Sequence, residues 1–406
     1  MVLTLKSFRW IIACVSILTT ASYLARADQH MNQPLTRELI RLVGPQDGLV
    51  VAAPNGHILA GIHMDSARIP ASILKLLTAL TVADTLGLDF RFRTDFFIDR
   101  QNNLIIKGYG DPRLVSEEIK TITQHIATQI QFINDIVLDH SYFRSPIHIP
   151  GRSITTEPYD APNGALCVNF NTVAFKHENG QWLSDEPQTP LLPMVIPKIV
   201  ASGLTQGRIT LAADSDEMLQ YTGALFKYFL NAAGVEVRGR IRPGRAPSQK
   251  ALLIESHASW HDLKQVVANL LEYSNNFIAN QLLLVMGATV FGSPATVDKG
   301  LQVLQGYYSD KLKINTGRIV EASGISRQNR LTPRAMLKIL EHWRPYHPLM
   351  RHNGRQYYKT GHLEGVRTRA GYLSSVDGGL YCFVVMINTP GKSTTNIMRA
   401  IEKYLK

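Results

Sequence analysis

Ser72 and Lys75 stand three residues apart in Pro70-Ala-Ser-Ile-Leu-Lys75, inside a run of helix formers that reaches Ala83. That spacing sets both side chains on one face of a helix. A serine attacks well only when a base takes its proton, and a lysine is a base only when burial and neighbouring cations depress its pKa. Two further motifs can complete such a site: Ser274-Asn275-Asn276 and Lys359-Thr360-Gly361. Lys359 is a cation able to act on Lys75, and with Thr360 it can hold a substrate carboxylate by charge and hydroxyl. Ser274 can relay a proton between Lys75, Lys359 and a leaving nitrogen. Asn276 can hydrogen-bond a substrate amide and Lys75, while Asn275 should point away. Gly361 lets a strand edge approach a bound peptide closely. The backbone N–H groups of Ser72 and His362 can form an oxyanion hole, which leaves the His362 imidazole incidental. The chemistry is acyl transfer through a serine ester.

Each motif has a plainer reading. Ser72 can cap a helix with Lys75 in solvent, Ser274 to Asn276 can be a polar helix break, and Lys359 to Gly361 a strand ending in a turn. Joint occurrence in the order S-x-x-K, S-x-N, K-T-G favours the chemical reading. Tyr221-Thr-Gly223 and Asn315-Thr-Gly317 lack the lysine, and no second S-x-x-K occurs.

The elements that must position these residues are legible in outline. Leu35 to Val43 reads as a short amphipathic helix. Gln46 to Ala53 and His57 to Ile62 read as a hairpin about Pro54-Asn55-Gly56. Pro70 suits the first turn of a helix over 70–83, which places Ser72 where free N–H groups and the helix dipole favour an anion. Phe90 to Ile106 reads as two or three short strands, and Gly108-Tyr-Gly-Asp-Pro112 as a turn that lacks the glycine and lysine of a phosphate loop. Residues 140–165 are proline-rich and loop-like. Helical periodicity returns over 260–284, 294–307 and 332–343. Strands follow at 356–361, 366–373 and 380–388, then a helix over 394–405 with apolar residues 397, 401 and 405 on one face. This order predicts an α/β (α+β) fold whose sheet joins N- and C-terminal strands. The expected division is 28–88 with 248–406 as one domain, and 89–247 as a mostly β insertion.

The chain has 406 residues, 45% hydrophobic and 18% charged, as expected of a globular protein of more than one domain. Lys6 and Arg9, the apolar stretch Trp10 to Leu24 and the small-x-small Ala25-Arg26-Ala27 read as a signal peptide cut after Ala27. The protein is therefore expected to be exported, to a periplasm or beyond. Loss of Lys6, Arg9 and Arg26 with no acid takes the net charge from +11 to +8. Such a surface can be drawn to anionic cell-wall polymers. No dense basic run suggests nucleic acid. Cys167 and Cys382 form no disulfide framework, and the 13 His residues show no metal-ligand spacing, so neither metal nor cofactor is expected.

On these motifs the chain resembles the D-alanyl-D-alanine carboxypeptidase/endopeptidase family, the class C low-molecular-mass penicillin-binding proteins. The resemblance also covers Leu88-Asp-Phe-Arg-Phe92, Gly108-Tyr-Gly-Asp-Pro112, Ser323-Gly-Ile-Ser-Arg-Gln-Asn329 and Lys359-Thr-Gly-His-Leu-Glu-Gly365. Ser72 and Ser274 are 202 residues apart. Family members carry extra domains at that point, whereas β-lactamases have a shorter spacing. The resemblance implies a penicillin-binding/β-lactamase-like transpeptidase fold, an antiparallel sheet flanked by helices. It implies Ser72 as the acylated nucleophile, Lys75 as base, Ser274 and Asn276 as relay and binder, and Lys359 with Thr360 for carboxylate recognition. The implied partners are peptidoglycan stem peptides, with β-lactam antibiotics as covalent inhibitors. Three features depart from the family: His362 replaces a usual Ser or Thr, Glu321-Ala-Ser-Gly324 replaces Asp-Gly-Ser-Gly, and the stretch from Arg327 to Lys359 is short. The alternatives are a β-lactamase or esterase of the same fold, and a wall-binding protein without turnover.

Overall fold

The computed structural model describes residues 32–211, 215–246 and 252–405. The expected leader, residues 1–27, lies outside them. No described helix is long and apolar enough to cross a membrane.

The first described helix, α1 (Gln33–Leu42), is capped by Asn32, whose side chain accepts from Leu35 N at 3.2 Å. The hairpin follows as β1 (Gly48–Ala52) and β2 (Ile58–Ile62), and a 3-10 turn at Ala71–Leu74 runs into α2 (Lys75–Leu86). The next segment holds β3 (Arg91–Ile98), β4 (Leu104–Gly108), α3 (Ser116–Ala127), β5 (Ile136–Asp139), α4 (Ser215–Ala232), β6 (Ile241–Pro243) and β7 (Leu252–Asp262). Two helices, α5 (Leu263–Tyr273) and α6 (Asn276–Phe291), then lead to α7 (Pro333–Trp343). The chain ends in β8 (Arg351–Asn353), β9 (Gln356–Leu363), β10 (Val366–Ser374), β11 (Leu380–Ile387) and α8 (Thr395–Tyr404).

Terminal strands do combine. One antiparallel sheet runs β8-β9-β10-β11-β1-β2, with Val50 opposite Val384 and Gly361 opposite Thr368. Strand alternation sends Val50 and Ala52 to one face and Leu49 and Val51 to the other. The first face packs on α2, α5, α6 and α7 through residues such as Leu77, Leu270, Leu282 and Leu340. The second is covered by α1 and α8 through Leu35, Leu39, Ile397 and Ile401. Helix α2 is buried on every side from Lys75 to Ala83, which explains its lack of an amphipathic stripe.

The segment after α2 differs from the mostly β expectation. A five-stranded sheet, β6-β5-β4-β3-β7, packs against α3 and the 18-residue α4 through Phe96, Ile106, Ile122, Leu138 and Phe226. A second sheet there joins Thr172–Glu178, Gln181–Ser184 and Gln206–Thr210. Helix α4 contains Tyr221-Thr-Gly223, the Thr-Gly pair without a lysine, in its interior. The reason for Gly223 is packing: a Cβ there would lie 2.3 Å from Ile241 Cγ2. Strand β7 pairs with β3, Ala258 facing Arg93, and so belongs to this sheet although it lies beyond residue 247.

Residues 140–165 form a loop, as expected, yet they reach the main core. Asn163 Nδ2 donates to Phe277 O and Gln281 Oε1 of α6, both at 2.9 Å. The Gly108–Pro112 turn buries Asp111. One of its carboxylate oxygens accepts from Arg113 N at 2.8 Å and the other has no partner. Burial pushes the Asp111 pKa up to about 7, against the pull of the Arg113 N–H and with help from Glu118.

Candidate active site

The turn that carries Ser72 is held from three sides. Ala71, next to Ser72, has φ +48°, a left-handed conformation that costs roughly 1–3 kcal/mol in a residue with a side chain. Two glycines allow the surrounding chain to close on it. A Cβ on Gly324 would lie 2.0 Å from Ala71 O, and one on Gly361 would lie 2.7 Å from Ser72 N. From β10, Thr368 Oγ1 donates to Pro70 O at 2.7 Å.

Lys75 is fully buried one turn along. Its Nζ lies 3.0 Å from Ser72 Oγ, 2.8 Å from Asn276 Oδ1 and 2.6 Å from Ser323 O. Both of the latter are pure acceptors, so a neutral amine would spend its two N–H bonds on them and leave its lone pair for the Ser72 hydroxyl. Burial drives the Lys75 pKa well below the ordinary lysine value; Lys359 pushes the same way and Glu321 opposes. The geometry and the charge balance thus suit Lys75 to accept a proton from Ser72.

The second motif straddles a helix break. Ser274 closes α5 in the left-handed region at φ +59°, and Asn275 caps α6 by accepting from Ile278 N at 3.0 Å. Asn275 therefore turns away from Lys75, as expected, and Asn276 faces it. The Ser274 hydroxyl is half-buried and has no hydrogen bond among the described residues. Asn276 Nδ2 reaches Tyr159 O at 3.4 Å, so the 140–165 loop borders the site.

On β9 the strand period separates the third motif. Lys359 and Gly361 are buried while Thr360 and His362 are exposed. Burial, with Arg351 nearby and Glu272 opposing, lowers the Lys359 pKa to about 8. Strand β8 pairs only with Gln356, Tyr357 and Tyr358. Beyond Tyr358 that side of β9 has no strand partner among the described residues, which leaves backbone groups free to align an extended peptide. Ser72, Lys75, Asn276 and Gly361 are thus brought into direct register, with Lys359 close enough to act on Lys75.

Sequence reasoning passed over the floor of the site, Asn280, Glu321 and Ser323. Ser323 supplies the carbonyl bonded to Lys75, and Asn280 Oδ1 accepts from Ala322 N at 3.0 Å. The only local signal was the departure Glu321-Ala-Ser-Gly324. Among the described residues no carboxylate hydrogen-bonds Ser72 or Lys75, and no cluster of His, Cys, Asp or Glu could hold a metal.

Residues 28–203 and 204–353 match the D-Ala-D-Ala carboxypeptidase 3 (S13) family, a family of serine peptidases. A D-alanyl-D-alanine carboxypeptidase of Actinomadura sp. (strain R39) is 24% identical over 442 aligned positions, 90% of this chain and 82% of that protein. The crystal structure of penicillin-binding protein 4 from Haemophilus influenzae superposes with a TM-score of 0.71 at 21% identity, covering 88% of this chain and 93% of that one. A penicillin G-acylated predatory endopeptidase from Bdellovibrio bacteriovorus superposes at 0.51 and 16% identity, with 88% and 89% coverage. The fold is that of the penicillin-binding proteins. With the family matched across most of its length and the serine–lysine pair in place, the chain belongs to the D-Ala-D-Ala carboxypeptidase 3 (S13) family.

Proposed function

We propose that this chain is an exported, penicillin-sensitive D-Ala-D-Ala carboxypeptidase and endopeptidase that cleaves peptidoglycan stem peptides through an acyl-enzyme on Ser72. The observation that carries this reading is the fully buried Lys75 Nζ at 3.0 Å from Ser72 Oγ, held by Asn276 and Ser323. Neutral Lys75 takes the Ser72 proton as Oγ attacks the D-alanyl carbonyl. The oxyanion is met by the N–H groups of Ser72 and His362, and Lys359 with Thr360 holds the terminal carboxylate. Lys75 then returns the proton, by way of Ser274, to the departing amine. Water releases the acyl group and restores Ser72. A β-lactam follows the same first step, but its leaving nitrogen stays tethered. The relatives named as carboxypeptidases and the penicillin G-acylated neighbour support this reading. The basic residues of the mature surface suit an anionic wall. Residues 28–88 and 248–406 serve as the catalytic domain and 89–247 as the accessory insertion, with β7 contributing to the latter's sheet.

Fast β-lactam hydrolysis needs a carboxylate that activates water, and among the described residues no carboxylate hydrogen-bonds Ser72 or Lys75, so the adduct is expected to persist. Incubation of the protein with fluorescent penicillin, followed by intact mass and peptide mapping, tests this. A stable adduct on Ser72, absent in Ser72→Ala, is expected together with release of D-alanine from stem peptides. Turnover retained in Ser72→Ala would refute the assignment. Muropeptide binding with no product and no adduct would favour a wall-binding protein.

A further inference from the structure

Glu321 is a fully buried carboxylate immediately behind the serine–lysine pair. It accepts six hydrogen bonds and every partner is a donor. Oε2 takes Ser323 N at 2.6 Å, Ser323 Oγ at 2.6 Å and Asn280 Nδ2 at 3.3 Å. Oε1 takes Gly324 N at 2.7 Å, Asn329 Nδ2 at 2.6 Å and Ser326 N at 3.3 Å. Three of these donors are backbone N–H groups of one short turn, so the carboxylate dictates its course. The same turn delivers Ser323 O to Lys75 and Ala322 O to Thr78 Oγ1 at 2.7 Å, and lays Gly324 against Ala71. A side chain one methylene shorter could not reach as far into the turn from the same backbone position.

We propose that Glu321 is a positioning residue for acylation: its carboxylate folds residues 322–326 into the brace that holds Lys75 against Ser72 and places a negative charge behind Lys75. The proposal rests on the reading of Lys75 as the base. Among the described residues two charged groups act on Lys75, Lys359 from β9 and Glu321 from the turn; Lys359 itself is faced by Arg351 and Glu272. Glu321 raises the proton affinity of Lys75 where burial and Lys359 lower it. Without it, Lys75 would be deprotonated at lower pH but badly placed. The carboxylate therefore trades some neutral amine for an aligned one, and the six donors keep its charge partly neutralised.

The test is acylation of the full chain by penicillin across pH, in parallel with NMR of protein labelled at lysine Cε, where Lys75→Arg identifies the Lys75 signal. In Glu321→Gln the charge is gone and one oxygen becomes a donor facing donors. The Lys75 titration and the acid limb of acylation should move down by about one pH unit, and the plateau rate should fall at least about tenfold. Glu321→Asp keeps the charge, so its limb should stay at the wild-type pH with an intermediate plateau. Ser323→Ala strips one donor from the carboxylate and should move the limb upward, which keeps the idea testable if Glu321→Gln does not fold. The proposal is overturned if Glu321→Gln matches wild type in limb and plateau, or if Gln and Asp variants move the limb equally. Absence of any Ser72 adduct in wild type would refute the base assignment instead. The NMR titration would still read the effect of Glu321 on Lys75.

Discussion

Gly361 offers a direct way to ask whether the nucleophile depends on contact with the K-T-G strand. A Cβ at that position would lie 2.2 Å from Thr368 Oγ1, 2.7 Å from Ser72 N and 3.0 Å from Ala71 Cβ. Ordinary contacts sit near 3.5–4.0 Å, so Gly361→Ala demands a displacement of roughly an ångström between β9 and the turn. Overpacking of this kind costs about 1–3 kcal/mol, and rotating Thr368 away from Pro70 O forfeits about 1 more. The expected loss is roughly 2–4 kcal/mol of stability. An ångström of misplacement at a nucleophile costs on the order of a hundredfold in rate. Acylation by fluorescent penicillin should therefore slow about a hundredfold while a thermal scan shows a midpoint several degrees lower. The double variant Gly361→Ala, Thr368→Ala removes the 2.2 Å contact but leaves the one to Ser72 N. It should regain part of the stability and none of the rate. Wild-type acylation in the single variant, or recovery of rate in the double one, would refute the claim that this strand sets the nucleophile's position.

Lys75→Arg should leave the chain folded yet abolish acylation, because a guanidinium does not give up its proton; intact mass after penicillin treatment reads this. Wild-type acylation should fall tenfold per pH unit below the Lys75 pKa, a limb lying well under the ordinary lysine value. Asp111→Asn should stabilise the protein near pH 8 by up to about 4 kcal/mol and change little near pH 4. The sign follows from a folded pKa of about 7 against 3.8: the protonated form is favoured on folding, so the stability Asp111 lends is present below about pH 4 and lost as pH rises through 7. Urea melts at the two pH values read the difference. Asn163→Ala removes two bonds to α6 and should cost about 2 kcal/mol, with a smaller effect on acylation. A drop in acylation without a drop in stability would contradict that order.

The candidate site was legible wherever it is local. Ser72 and Lys75 announce themselves by a helical spacing, and Asn275 and Asn276 by a polar break in a helical stretch. The floor of the site was not, because Glu321 acts on backbone N–H groups, which every sequence carries and none displays. Helix α4 was missed for a related reason: 89–247 reads as mostly β, and the fit of Gly223 against Ile241 that admits a glycine inside this helix is a tertiary fact. The sheet's union of hairpin and C-terminal strands was readable because three strong β patterns sit next to the K-T-G motif. The sheet membership of β7 depends on a pairing with residues more than 150 positions earlier, which no local pattern encodes.

The pairing of β1 with β11 also has a consequence for how the protein comes into being. Gly48 meets Met386, so the sheet cannot close until residue 386 has been made. Contacts of such separation form slowly, because closure of the intervening loop must precede the reward of pairing. A growing chain would carry the β1–β2 hairpin and the apolar helix α2 for most of its synthesis with one edge of β1 unpaired. The inserted segment, with its own core and sheets, can fold first and bring the two ends together, which shortens the effective loop. A chain truncated before β11 would then retain a folded insertion but hold Ser72 and Lys75 on an unclosed frame. In that sense the reaction's competence is granted last, at the moment the C-terminal strand docks.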